Sequence, residues 1–227
     1  MIKFDVDGYK ELINTFIMQG YNFKFFLDDF ADKNIVYLRH DVDFNISYAY
    51  EMAHLDFQMN VRSTFFFLIN SEMYNLLEPS NIQLIREVSE LGHQIALHVD
   101  ERHVTSHADF LKQMMIFCQM FPFANRKIIS RHRPNLLRIP EWITPDYEDV
   151  YQEKFFNRIE YASDSRGEWK YGLPIEREAF KKKQSFQLLI HPIWWINEEE
   201  TSAEKIAHFL YDCEIKNKKA INYFKLF

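Results

Sequence analysis

Glycine is scarce in this chain, with five in 227 residues. Neither a GxGxxG nor a GxxxxGKS/T segment occurs, which excludes the Gly-rich loops that wrap phosphates in nucleotide-binding folds. Cysteine is equally sparse. Cys118 and Cys213 lie 95 positions apart and make neither a disulfide framework nor a CxxC metal site. Cys118 falls inside an apolar helical pattern and reads as a core thiol. No apolar run approaches the roughly 18 residues of a membrane span. The first seven residues lack the basic-then-apolar pattern of a signal peptide, so the expected location is cytoplasmic. Positive charge is in deficit: 27 Lys and Arg face 33 Asp and Glu, giving −6 formally and a pI near 5.9. That balance argues against a nucleic-acid-binding surface. No Pro/Ser/Gly-rich linker, low-complexity tract or repeat divides the chain, so one domain over 1–227 is expected.

Aromatic residues are plentiful, at 17% with 22 Phe and 12 Tyr. They suit a bulky core, and secondarily a cleft for sugar rings. Helical and extended patterns alternate. Tyr9, Leu12, Ile13, Phe16 and Ile17 predict a helix over 8–19. A strand over 35–42, a helix over 46–58 and an aromatic-rich strand over 62–69 follow. A helix over 81–90 has Ser80 as its expected N-cap and Gly92 as its terminator. A strand over 94–99 precedes a helix over 107–120, which Ser106 and Asp109 open in capping-box spacing. Strands over 127–132, 159–163 and 186–190 come next, and Thr201 to Glu204 open a helix running to about 216. The segment 134–158, with Pro134, Pro140 and Pro145, reads as one long loop. Alternating strands and helices imply a parallel sheet with crossover helices, a barrel or a doubly wound sheet.

Three polar clusters end apolar runs: Arg39-His40-Asp41-Val42-Asp43, Gly92-His93-Gln94-Ile95-Ala96-Leu97-His98-Val99-Asp100, and His191-Pro192. In a parallel α/β sheet the carboxyl ends of the strands share one face, so these side chains converge. Strand alternation turns Arg39, Asp41 and Asp43 one way and His40 and Val42 the other. Two close carboxylates require a cation or a proton between them. A divalent metal supplies the cation, one carboxylate ligating it and the other acting as base on bound water. The competing reading is that the pair caps helix 46–58. A catalytic zinc takes three protein ligands and keeps an open position. Asp43 and His98 fill two places, and His132 or His103 the third. His93 and His107 read as surface or capping residues, and His54 and His208 have no evident partner. His191, near its pKa at neutral pH, suits protonation of a leaving amine.

Together these segments, with Arg131-His132-Arg133-Pro134 and Leu189-Ile190-His191-Pro192, resemble the polysaccharide deacetylase family (the NodB-homology, carbohydrate esterase family 4 group). Within it they are most similar to the branch whose first motif reads HDVD. The resemblance spans about Tyr37 to Trp195. It implies an α/β fold, a distorted (β/α) barrel of about seven parallel strands, and hydrolysis of acyl groups from amino sugars with a divalent metal, zinc by preference. It makes Asp41 the catalytic base, Asp43 and His98 metal ligands, and His191 the general acid, with Arg133 orienting the base or the acyl carbonyl. Departures from the family pattern leave the roles of Asp41 and Asp43 open to exchange. They also leave the third ligand between His132, preferred because it ends a strand, and His103. Asp164, in Ser163-Asp164-Ser165, stands where the family's substrate-side Asp/Trp motif is expected; an ordinary turn is its alternative. Trp194 offers a flat apolar face to a sugar ring.

The implied mechanism has Asp41 deprotonate a metal-bound water. The metal stabilises the oxyanion, helped by Arg133 or a backbone N–H of 66–70, and His191 protonates the departing amine. A cytoplasmic enzyme meets precursors rather than finished polymer, so the expected substrate is a small-molecule, nucleotide-linked or lipid-linked acylated amino sugar. Two other readings stand beside it: a catalytically inactive carbohydrate-binding or scaffold protein on the same barrel, and a metal hydrolase acting on a non-sugar amide.

Overall fold

The computed structural model describes residues 2–31, 33–135 and 139–225. Helix α1 (Val6–Met18) begins where the Asp5 side chain accepts the Gly8 N–H. The two-residue strand β1 (Asn22–Phe23) leads to β2 (Ile35–Val42), every residue of which is buried. Helix α2 (Ile46–Gln58) is capped by Asn45, not by Asp43. Then come β3 (Ser63–Leu68), α3 (Pro79–Glu90), β4 (Gln94–Asp100) and α4 (His107–Met120). The Ser106 hydroxyl accepts the Asp109 N–H, and the Asp109 carboxylate accepts from Ser106 in return. Helix α3 starts at Pro79 with Glu78 at the N-cap and no side-chain cap bond. Ser80 is thus its second residue rather than its cap, because proline tolerates the first helical position, where no N–H partner exists anyway.

After β5 (Ile128–His132) the expected long loop contains two short elements, β6 (Glu148–Asp149) and α5 (Glu153–Phe156). Neither is long enough to show a period. The chain closes with β7 (Glu160–Ser163), α6 (Glu178–Lys181), β8 (Phe186–Ile190), α7 (Ile193–Ile196) and α8 (Ser202–Lys225). Helix α8 continues nine residues past its expected end. No helix among the described residues is long and apolar enough to cross a membrane.

Seven parallel strands in the order β6-β5-β4-β3-β2-β8-β7 curl into a half-barrel, and β1 pairs with the start of β2. This is the expected distorted (β/α) barrel. The sheet's two faces build two apolar layers. Val36, Leu38, Phe65, Phe67, Ile95, Leu97 and Leu188 pack against the helices. Tyr37, Phe66, Ala96 and Ile128 fill the inside with Phe26 and Phe155. Side chains, not a ladder, draw the two ends of the sheet together. The Gln187 amide donates to the carbonyls of Val150 and Phe155 at 2.9 and 2.8 Å, and the rings of Tyr151 and Tyr161 lie 6.3 Å apart.

Candidate active site

Above the inner apolar layer the same strand positions turn polar. Asp41, His98, Ser130, His132 and His191 lie on the inner face or just past the carboxyl ends of β2, β4, β5 and β8, with Asp43 one residue beyond β2. They line a cavity of about 890 Å³, except Ser130, which lies beneath it. Register delivers this convergence: Leu68 pairs with His98 and His98 with Ser130 across adjacent strands.

Asp43 is the hub. Its Oδ1 lies 3.4 Å from His98 Nε2, and its Oδ2 lies 3.7 Å from His132 Nε2 and 3.8 Å from His191 Nε2. Each imidazole is held from behind through Nδ1. The partner is the Ser130 carbonyl for His98 (3.0 Å), Asp100 for His132 (3.4 Å) and Asp164 for His191 (2.6 Å). These acceptors fix the proton on Nδ1 in each neutral ring and leave the Nε2 lone pair facing Asp43. Lone pairs facing a carboxylate repel it, so the cluster requires a proton or a cation at its centre.

The donor set fits a divalent metal on three counts. A tetrahedral ion with ligands at about 2.0–2.2 Å spaces its donors roughly 3.3–3.6 Å apart, close to the Asp43–His98 and Asp43–His132 separations. Outer acceptors on the far ring nitrogen are the usual support of ligating histidines. Oδ1 of Asp41 and Oδ1 of Asp43 are buried with no hydrogen-bond partner among the described residues. Among the described residues, no group of three or more His, Cys, Asp or Glu lies close enough together to hold a metal ion as it stands. The agreement with a ligand set is confined to the pairwise spacings, the outer acceptors and the two orphaned carboxylate oxygens.

Electrostatics separate the three imidazoles. Burial works against the charged form of His98, but Asp41 and Asp43 outweigh it and raise its pKa. Burial prevails at His132, lowering it despite Asp43. At His191 burial is overcome by the charge and hydrogen bond of Asp164, with help from Asp43 and Asp41, and the pKa rises to about 9. Burial would raise Asp43, yet the close approach of His98 and the positive fields of His191, His98 and His132 in their charged forms hold it at about 2.

Asp41 is bound differently. Its Oδ2 accepts from Arg39 Nη2 (3.1 Å) and the Ser130 hydroxyl (3.2 Å), 3.7 Å from His98 Nε2. Arg39 is fully buried, with its guanidinium over the Tyr151 ring at 4.7 Å and Nη2 bonded to the Tyr151 hydroxyl at 2.6 Å. The guanidinium on Asp41 is thus Arg39, not Arg133. Arg133 lies at the cavity rim with an exposed side chain.

The structure thus brings together Asp41, Asp43, His98, His132 and His191, and leaves out His103. That residue is exposed in the single turn Glu101–His103 and does not line the cavity. Trp194 lines the cavity wall. Asp164 does not: fully buried, it accepts the backbone N–H of His191 (2.9 Å), His191 Nδ1 and the Trp195 indole N–H (2.8 Å). Its place is behind the imidazole, not against a ligand. The Leu68 N–H, one of the expected oxyanion donors, is engaged by the Tyr74 hydroxyl at 2.9 Å. Asp100, named in the second polar cluster, enters behind His132; Ser130 and Tyr151 join the site without having been singled out for it, and Tyr151 arrives only through the curl of the sheet.

Besides His103, five histidines lie outside the cluster, and the first, His40, has Nε2 2.9 Å from the Asp56 carboxylate. His93, expected at the surface, is buried between the Ser63 hydroxyl and the Ala53 carbonyl, both at 2.9 Å. His107 Nδ1 donates to the Trp142 carbonyl at 2.8 Å, and His54 meets the edge of Tyr50. His208 contacts Glu199 and Asp212. Compared with models of known protein families and with curated proteins, the chain matches none.

Proposed function

We propose that this protein is a metal-dependent hydrolase that removes an N-acyl group, acetyl or formyl, from an amino sugar or sugar-containing precursor of a surface polysaccharide. One observation carries the reading: three imidazoles, each fixed through Nδ1, aim Nε2 at one aspartate while a second aspartate stands alongside. Asp43, His98 and His132 would hold the ion, whose chemistry is to acidify water and polarise the acyl carbonyl. Zinc suits two nitrogens and a carboxylate oxygen.

The remaining groups divide the proton work. Asp41, fixed by Arg39 and Ser130, accepts a proton from water through its free Oδ1. His191, kept protonated at neutral pH by Asp164, donates one to the departing amine. Asp41 as base and His191 as acid, lining the same cavity as Asp43, form the pairing amide hydrolysis uses. The order of the motifs, similar to that of polysaccharide deacetylases, supports an acylated amino sugar, and Trp194 supplies an apolar wall for the ring.

Metal content by mass spectrometry, on protein purified without chelator or nickel resin, tests this. The expected result is about one divalent ion per chain, lost in Asp43→Ala and His98→Ala, with acetate or formate released from acylated amino sugars by the wild type alone. Protein without metal, taking none up on titration, overturns the hydrolase. It would leave the catalytically inactive carbohydrate-binding protein, which the open spacing of the donor set otherwise favours.

A further inference from the structure

Four arginines line the cavity, and two are already committed. Arg102 pairs with Asp100 at 2.6 Å and Glu72 at 3.3 Å. Arg131 pairs with Glu101 at 2.6 Å and Asp149 at 2.7 Å. Arg133 and Arg166 are exposed and make no ion pair or hydrogen bond among the described residues. They follow β5 and β7, towards opposite ends of the sheet, and the curl of the half-barrel sets both on one rim. Both have left-handed backbone, with φ of 52° and 66°. Glycine adopts that conformation freely and arginine only at a cost. In a chain of net charge −6, two uncommitted guanidiniums on one rim stand against the overall sign.

Other groups on the rim favour the same kind of ligand. Ser202 and Ala203, the first residues of the 24-residue helix α8, line the cavity next to Arg166. The turn carrying Arg166 packs on them so closely that a Cβ at Gly167 would meet Ser202 Oγ at 2.5 Å. Thr201 Oγ1 accepts the Glu204 N–H, and the Glu204 carboxylate is folded back onto Thr201; the N–H groups of Ser202 and Ala203 and the positive dipole end of a long helix favour an anion. Trp194 lines the same cavity, and its indole N–H is buried without a partner among the described residues. The cavity therefore joins Asp41 and Asp43 to two free cationic donors, its other acidic residues, Glu72 and Asp100, being paired with Arg102.

We propose that Arg133 and Arg166, with the start of α8, bind a phosphoryl group of the substrate, so that this site takes an acylated amino sugar carrying a phosphate monoester or a diphosphate. Two planar forks from separate loops plus backbone N–H groups offer more donors than a carboxylate's two oxygens accept; the three non-bridging oxygens of a phosphate monoester, or the four of a diphosphate diester, match them. The sugar part of this assignment rests on the proposed deacylase reading. The anion site does not.

Trp194 in the cavity wall gives a fluorescence signal for titrating the protein, as purified, with N-acetylglucosamine and with N-acetylglucosamine 1-phosphate. The phosphorylated sugar is expected to bind about a hundredfold more tightly, roughly tenfold from each arginine. Arg133→Ala and Arg166→Ala should each remove about one of those factors of ten. The double variant should abolish the preference, Arg166→Lys should keep most of it and Arg166→Glu should reverse it. Equal affinity for the two sugars overturns the proposal. So does a preference that survives in the double variant, since the phosphate is then held elsewhere, a metal at Asp43 included. UDP-N-acetylglucosamine and a polyprenyl-diphosphate-linked sugar in detergent micelles, used as competitors, distinguish a nucleotide from a lipid carrier; competition by neither overturns the assignment. An intact preference without acyl release from any of these compounds would sink the hydrolase and leave the anion site standing.

Discussion

Asp164→Asn preserves the shape of the side chain behind His191 and removes its charge. In the wild type the carboxylate accepts from His191 Nδ1 at 2.6 Å, from the His191 backbone N–H at 2.9 Å and from the Trp195 indole at 2.8 Å. The imidazole pKa moves from 6.5 to about 9, against the burial that would lower it. That rise is worth about 3.4 kcal/mol in favour of the imidazolium. Folded protein keeps this proton up to about pH 9 while the unfolded chain releases it near 6.5, so the stabilisation is complete below pH 6.5 and is lost as pH rises to about 9. With Asn at 164 only Asp43 and Asp41 still oppose burial, and the His191 midpoint should fall below about 9. One carboxylate oxygen also becomes an amide NH₂ facing an N–H, a further loss of about 1–3 kcal/mol at every pH. Histidine ring resonances followed by NMR in chelator-treated protein give the midpoint, and urea unfolding at pH 6 and pH 9.5 gives the stability difference. The wild type should lose more stability than the variant between those two pH values, by up to about 3 kcal/mol. An unchanged His191 midpoint in the variant would refute the reasoning, because Asp164 would then not be what holds the proton.

Arg39→Met strands Asp41 in the interior and should cost about 3–5 kcal/mol in urea unfolding; adding Asp41→Asn should recover part of it. A double variant no more stable than the single would show that the two side chains are not coupled. His93 is satisfied only as a neutral ring, donating to Ala53 and accepting from Ser63, and burial pushes its pKa below 6.5. Its contribution to stability is therefore present above pH 6.5 and lost as pH falls below it, a slope that His93→Gln should flatten. Gly8→Ala should gain roughly 1 kcal/mol of helix propensity but place a Cβ 1.9 Å from the Lys3 carbonyl oxygen. A melting temperature lowered by about 2–4 °C or more is expected, and a raised one would contradict the contact.

The strands and helices most legible in the sequence were those with room to show a period. Strand β2, helices α2 and α4 and strand β8 run over the residues that their apolar patterns predict. Strands β1 and β6 and helices α5, α6 and α7 are two to four residues long and have no pattern to read. Asp41, Asp43, His98, His132 and His191 could be grouped because each ends a strand of a parallel sheet, where position alone sets direction. Partners approaching from the side were beyond that logic. Asp164 takes a ring nitrogen from behind, and Tyr151 reaches Arg39 across the open side of the barrel. His93 read as a surface or capping residue; its place between Ser63 of β3 and Ala53 of α2 buries it instead.

Strand β2 runs through the middle of the sheet, buried on both faces, where an apolar run would pair almost as well one residue out of step. Its own residues forbid that. Arg39 and Asp41 find each other, Ser130 and Tyr151 only on the concave side. His40 finds Asp56, itself bonded to the Tyr9 hydroxyl, only on the helix side. A slip by one position would drive a guanidinium and a carboxylate in among Phe65, Phe67 and Leu188 and strand an imidazole in the inner layer of Phe66 and Phe155. Each such burial would go unanswered by a partner. The charged residues that equip the site therefore also act as an indexing pin for the central strand, and misthreaded chains are penalised at the positions where chemistry requires the correct thread.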